Sequence, residues 1–175
     1  MFKRFKRIKK NNRGETASLF VIIMMMCIYL YAFAVDIMEI SWQRYTLVRH
    51  TNYVARVAGR QGGFLNSNPS GRWDKNVPYI TRSQMYNNSA KVFSNANIDE
   101  WDIKFKKSRN SSNSKNLHTN TQYDFGEDFV VEGSIIYKWN YMDKVLPGNA
   151  GDKQYKVFKK VVSERFIRSN SDIEY

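Results

Sequence analysis

Residues 17–35, Ala-Ser-Leu-Phe-Val-Ile-Ile-Met-Met-Met-Cys-Ile-Tyr-Leu-Tyr-Ala-Phe-Ala-Val, form one uncharged apolar run. Lys3, Arg4, Lys6, Arg7, Lys9, Lys10 and Arg13 stand just before it, and no acidic residue precedes Glu15. Coiled as a helix, the run reaches about 28 Å, close to the ~30 Å hydrocarbon core of a bilayer. Lys and Arg resist translocation, so the basic segment is expected in the cytoplasm and everything after the run outside it. No later apolar run approaches about 18 residues, so a single span is expected.

That reading changes what the charge means. A formal charge of +12 would ordinarily suggest nucleic acid. Seven of those charges lie in the first thirteen residues, where a topology signal accounts for them, so no nucleic-acid partner is expected. The basic segment is better suited to anionic head groups, making the lipid bilayer the first expected partner. Cys27, the single cysteine, lies mid-run and can form no intramolecular disulfide. His50 and His118 are the only histidines, and no Cys or His cluster has ligand spacing. The expectation is no catalytic site, no metal, no cofactor and no enzyme.

After Val35 the apolar character narrows to a stripe. Ile37, Ile40, Leu47, Thr51, Val54 and Ala58 recur at steps of three and four, with Arg44 in the one missing place. No Gly or Pro interrupts residues 15–58, so the spacing predicts one helix of about 43 residues, from near Thr16 to near Ala58. Gly59 or the Gly62-Gly63 pair would stop it. Residues 62–78 then read as an irregular connector rich in Gly, Asn and Pro. Thr81-Arg82-Ser83-Gln84 has the form of a capping box, and Met85, Ala90 or Ser89, Val92 and Phe93 give a short helix over about 82–95 an apolar face.

From residue 99 the period becomes two. Trp101, Ile103 and Phe105 alternate with Asp102, Lys104 and Lys106, as in a half-buried strand. Residues 108–122, rich in Ser and Asn, read as a long mobile loop. Phe129, Val131, Ile135, Tyr137 and Trp139 mark one face of a longer strand, with Gly133 as a bulge or close approach. Pro147–Asp152 reads as a turn, and Tyr155 to Ile167 as a last strand. The fold expected is α+β: a long N-terminal helix, transmembrane then amphipathic, followed by a small antiparallel-sheet domain with one short helix. By segment this is a leader at 1–14, a span at 15–36, an amphipathic continuation at 37–61 and an extracytoplasmic domain at 62–175.

A basic leader, a Gly, an apolar span that becomes amphipathic and a small strand-rich domain resemble, in that order, the type IV pilin superfamily. Arg13-Gly14-Glu15-Thr16-Ala17-Ser18-Leu19-Phe20 is similar to the start of TadE-type pseudopilin-like proteins, and Ala55-Arg56-Val57-Ala58-Gly59 to how that family leaves its helix. The resemblance covers roughly residues 10–63, with the later domain alike only in layout. It implies a structural or assembly component of a pilus-like, secretion or conjugation apparatus in the cell membrane. Other pilin-like or inner-membrane assembly proteins would be its partners. It also implies a prepilin peptidase cut between Gly14 and Glu15, the alternative within the membrane reading being an uncut accessory that begins at Met1. One departure is plain: the glutamate that the family usually carries at the fifth mature place is here Leu19.

The competing class is a secreted binding domain. Ala32-Phe33-Ala34 is an A-x-A-like site after a basic segment and an apolar run, and signal peptidase cutting after Ala34 would release a chain starting at Val35. Ala17, Ser18, Ala32 and Ala34 are small enough for close helix approach under the first reading. Eleven Tyr and four Trp exceed what a domain this size usually buries. Trp73, Tyr79 and Tyr141 are the expected exposed contact residues, and Trp101 and Trp139 are expected in the core.

Overall fold

The computed structural model describes residues 12–67, 78–142 and 153–164. Helix α1 is continuous over Asn12–Gln61, starting before and ending after the stretch that periodicity alone marks. Strand β1 (Gly63–Phe64) follows, then helix α2 (Arg82–Ser94) and strands β2 (Trp101–Lys106), β3 (Ser114–Asn116), β4 (Thr121–Gln122), β5 (Asp128–Tyr137) and β6 (Lys153–Val162). A four-stranded antiparallel sheet has the order β3-β2-β5-β6, and β1 pairs antiparallel with β4 in a second, small sheet. The α+β architecture, with a long apolar N-terminal helix and one short helix, stands as expected.

Contacts divide the chain into two units, one of residues 1–39 and 139–150, the other of 40–138 and 151–175. In the first, the apolar part of α1 is bare. Its large apolar side chains from Leu19 to Phe33 are 40–74% exposed. The most apolar 18-residue window has a mean hydropathy of 2.4 with none of it buried, so this helix is long and apolar enough to cross a membrane.

In the second unit the stripe of α1 becomes core. Leu47, Thr51, Val54, Ala55 and Ala58 are fully buried, joined by Phe64, Met85, Phe93, Ile103, Phe105, Phe129, Val131 and Ile135. The stripe begins at Ile40, because Ile37 is 42% exposed. Gly133 on β5 makes a close approach: a Cβ there would overlap the Thr51 side chain and lie 3.1 Å from Leu47 Cδ1. Helix and sheet meet there with no room for a methyl.

Gln61 organises the end of α1. Its Nε2 donates to Gly63 O at 2.9 Å and Ile80 O at 2.8 Å, and its Oε1 accepts from Ile80 N at 3.2 Å. One buried amide thus ties both ends of the connector to the helix. Gly63, at φ +108°, takes a conformation closed to other residues as the chain turns into β1. The capping box of α2 is present: Thr81 Oγ1 accepts from Gln84 N and Thr81 N donates to Gln84 Oε1. Ser89, not Ala90, lies on the buried face of α2 with Met85 and Phe93.

Three expectations need correction. Residues 108–122 are not one loop: β3 extends the sheet beside β2, and β4 pairs with β1 around the buried Thr121. Long-range pairing, which has no local hydrophobic signature, orders them. β5 ends at Tyr137, so Trp139 lies beyond the strand and outside the sheet core. The last strand runs Lys153–Val162, and residues 165–167, like the Pro147–Asp152 turn, lie outside the described residues.

Candidate functional site

Two clusters of polar and aromatic side chains stand out, one in each unit. The first gathers where the uncharged run ends. Asp36, the first acidic residue after Glu15, is 1% exposed. Its carboxylate accepts from Tyr141 N at 3.1 and 3.3 Å and from Met142 N at 2.9 Å. A buried carboxylate needs such donors, because losing water without replacement is costly. One turn on, Glu39 Oε2 accepts from Asn140 Nδ2 at 2.6 Å. One turn back, the Phe33 ring stacks on Trp139 with centroids 6.1 Å apart and planes within 4°. Residues 139–142 are therefore fastened to three successive turns of α1.

The second cluster is a cleft between α1 and α2, about 430 Å³ in volume. Trp42, Tyr45, Thr46, Arg49 and Tyr53 of α1 face Asn88, Val92 and Asn95 across it. Trp42, Tyr45 and Tyr53 are 57%, 56% and 39% exposed, unusual for rings of this size on a helix already packed on its other side. His50 forms part of the lining. Ser89 Oγ donates its one proton to Met85 O at 2.8 Å, so it must accept from His50 Nε2, also 2.8 Å away. His50 is thereby the Nε2–H tautomer, and burial pushes its pKa down to about 4. The lining at neutral pH then carries one charge, that of Arg49.

On the opposite side of α1 from the cleft residues, at the gap in the apolar stripe, stands Arg44. Its guanidinium donates to Tyr137 Oη at 2.9 Å and lies over the rings of Tyr137 and Tyr155, 5.1 and 4.9 Å from their centroids. The cation substitutes for an apolar side chain by lying flat on two rings.

The expected site residues fall in different places. Gly14 and Glu15 lie inside α1, near its start. Ala32 and Ala34 lie within the same unbroken helix, Ala34 exposed and Ala32 half-buried. Trp73 is outside the described residues. Tyr141 is 56% exposed, as expected of a contact residue. Tyr79 is not a free contact: it is half-buried and its hydroxyl accepts from Leu65 N at 3.0 Å. Trp101 packs against the core beside Phe93 at 4.9 Å, whereas Trp139 belongs to the Asp36 cluster. Trp42, Tyr45 and Tyr53 were not legible as a group, because their cleft needs α2 as its other wall. Among the described residues no group of His, Cys, Asp and Glu could hold a metal ion. No protein-family model, curated protein or solved structure matches the chain.

Proposed function

We propose that this chain is a non-enzymatic, pseudopilin-like structural or assembly component of a pilus-like, secretion or conjugation apparatus. It would be held in the cell membrane by α1, with its N-terminus cytoplasmic and its later residues extracytoplasmic. The observation that carries this reading is the division of labour along one unbroken helix. The large apolar side chains of the first half of α1, from Leu19 to Phe33, are 40–74% exposed, and the second half is the spine of a folded domain. A stretch of bare apolar surface this long calls for lipid or sister helices. Small residues at Ala17, Ser18, Ala32 and Ala34 suit close helix approach, and the Trp42–Tyr45–Tyr53 cleft suits docking of a partner by the exported domain.

Leu19 distinguishes this reading from that of a major fibre subunit. With no acidic side chain between Glu15 and Asp36, α1 offers no carboxylate at the fifth mature place to a neighbour's amine, which fits an accessory or fibre-end role. Release by signal peptidase after Ala34 is disfavoured by the continuous helix through Ala32–Ala34 and by the stacking of Phe33 on Trp139.

The test has two arms. Protease shaving of intact protoplasts should remove the domain and leave a protected N-terminal fragment, and recovery of full-length protein would rule the orientation out. Mild-detergent extraction should bring down pilin-like or inner-membrane assembly proteins. A clean monomer without partners would rule out the assembly role.

A further inference from the structure

The Asp36 cluster has a position as well as a geometry. Phe33 is the last ring of the uncharged run, so Trp139, stacked on it, shares its depth relative to any bilayer that α1 crosses. We propose that residues 139–142 are a lipid-interface anchor. The Trp139 indole and the Tyr141 phenol engage the ester carbonyls and phosphates of the outer leaflet, and Asp36 holds them there. The proposal rests on the membrane-spanning reading of α1, and goes beyond it by assigning a ligand to a segment more than a hundred residues downstream.

Three observations carry it. First, the chemistry of the rings is right. Trp and Tyr combine a flat apolar body with a single N–H or O–H donor, and they are favoured where hydrocarbon meets head groups. Tyr141 is 56% exposed. Trp139 is half-buried with one face on Phe33, and a ring held this way can turn its other face outward.

Second, the tyrosines of the span follow the same asymmetry. Within residues 16–35 they occur only at Tyr29 and Tyr31, both exposed and both within two turns of Phe33. The outward end of α1 is thus already dressed for the interface. At a rise of about 1.5 Å per residue, Tyr31, Phe33 and Asp36 occupy a band some 8 Å deep, no thicker than a head-group layer.

Third, the anchor explains why Asp36 is buried at all. A carboxylate at the edge of the hydrocarbon has little water, and the ester carbonyls at that depth are acceptors that cannot solvate it. Backbone N–H groups of Tyr141 and Met142 supply that solvation, and the charge in return fixes the loop that carries the two rings. Asn140 on Glu39 adds a second tie one turn further on, so the loop cannot swing off the helix by losing a single bond.

The test uses the full-length chain in phosphatidylcholine–phosphatidylglycerol vesicles, with Trp42, Trp73 and Trp101 replaced by Phe so that Trp139 reports alone. Flotation with the vesicles reads the span, and quenching reads the anchor. Trp139 emission should be blue-shifted and quenched most by bromines high on the acyl chains, less by deep bromines and least by aqueous iodide. Asp36→Ala should shift the emission to the red and remove the preference for the shallow quencher, while flotation is retained. Trp139 quenched by iodide and not by lipid, in protein that still floats, overturns the anchor alone. Protection from both quenchers overturns it in favour of a protein contact. Failure to float overturns the span and the anchor together. Should the triple substitution impair folding, Trp139→Phe in the natural sequence gives the same reading, as loss of the shallow-quenched component.

Discussion

Gly133→Ala is the sharpest probe of how the helix is joined to the sheet. Gly133 sits mid-strand in β5, in register with Ile103 of β2 and Val157 of β6. An added Cβ would run into Thr51 Oγ1 and lie 3.3 Å from Thr51 Cβ and 3.1 Å from Leu47 Cδ1. Thr51 is fully buried in a helix and β-branched, so it has few rotamers to retreat into. Two effects compete. Reduced entropy of the unfolded chain favours Ala by about 0.4–1 kcal/mol, and overpacking costs about 1–3 kcal/mol. A net loss of about 1–2 kcal/mol is expected, or roughly 4 °C of midpoint per kcal/mol for a domain of this size.

Thr51→Ala opens the required space. Its hydroxyl is buried without a hydrogen-bond partner among the described residues, so its removal offsets much of the lost methyl burial and leaves that single variant near neutral. The Thr51→Ala/Gly133→Ala double variant should therefore recover most of the loss, with a coupling of about 1–2 kcal/mol. Urea unfolding of the full chain in detergent, followed by near-UV circular dichroism, measures all four corners of the cycle. Additivity within about 0.5 kcal/mol would refute the close approach.

Three further expectations bear on the cleft and the contacts. Burial lowers His50 to about 4 from its usual 6.5, so the unfolded chain takes up the proton first as pH falls. Stability should hold above pH 6.5 and decline between 6.5 and 4. The loss is at most about 3 kcal/mol, and less because His50 also lines an open cleft. His50→Gln should flatten that part of a stability–pH profile, and an unchanged slope would count against the buried neutral tautomer. Trp42→Ala and Tyr45→Ala should weaken partner capture while leaving the thermal midpoint within about 2 °C, since exposed side chains contribute little to stability. Tyr79→Phe should instead lower the midpoint, by breaking the hydrogen bond to Leu65 N, and the opposite pattern would exchange their roles.

What the sequence discloses, and what it withholds, follows from the range of each interaction. α1, α2 with its Thr81–Gln84 cap and β2 were legible because their signals are periodic or lie within four residues. Gly133 was legible as a close approach, but its partner was not, since Thr51 is brought to it only by the fold. β3 and β4 were missed because Ser114–Asn116 and Thr121–Gln122 gain their order from β2 and β1 rather than from apolar side chains of their own. Trp139 extends the alternation of β5 in sequence, and only the structure takes it out of the strand to Phe33. In the sequence Asp36 is marked only as the residue at which the uncharged run ends. Its burial depends on backbone N–H groups more than a hundred positions away, which no local pattern encodes.

The central claim is that α1 stays whole through Ala32–Ala34 and keeps the protein in the membrane. Intact-mass measurement of the mature protein from its own host, with membrane and soluble fractions analysed separately, tests this most directly. The protein is expected in the membrane fraction, either as a chain that begins at Glu15, in which case Gly14→Ala should block the shift from Met1, or as the uncut chain that begins at Met1. A soluble product beginning at Val35 would contradict the account at its root, since it would remove the bare half of α1 together with the Phe33 ring on which Trp139 rests.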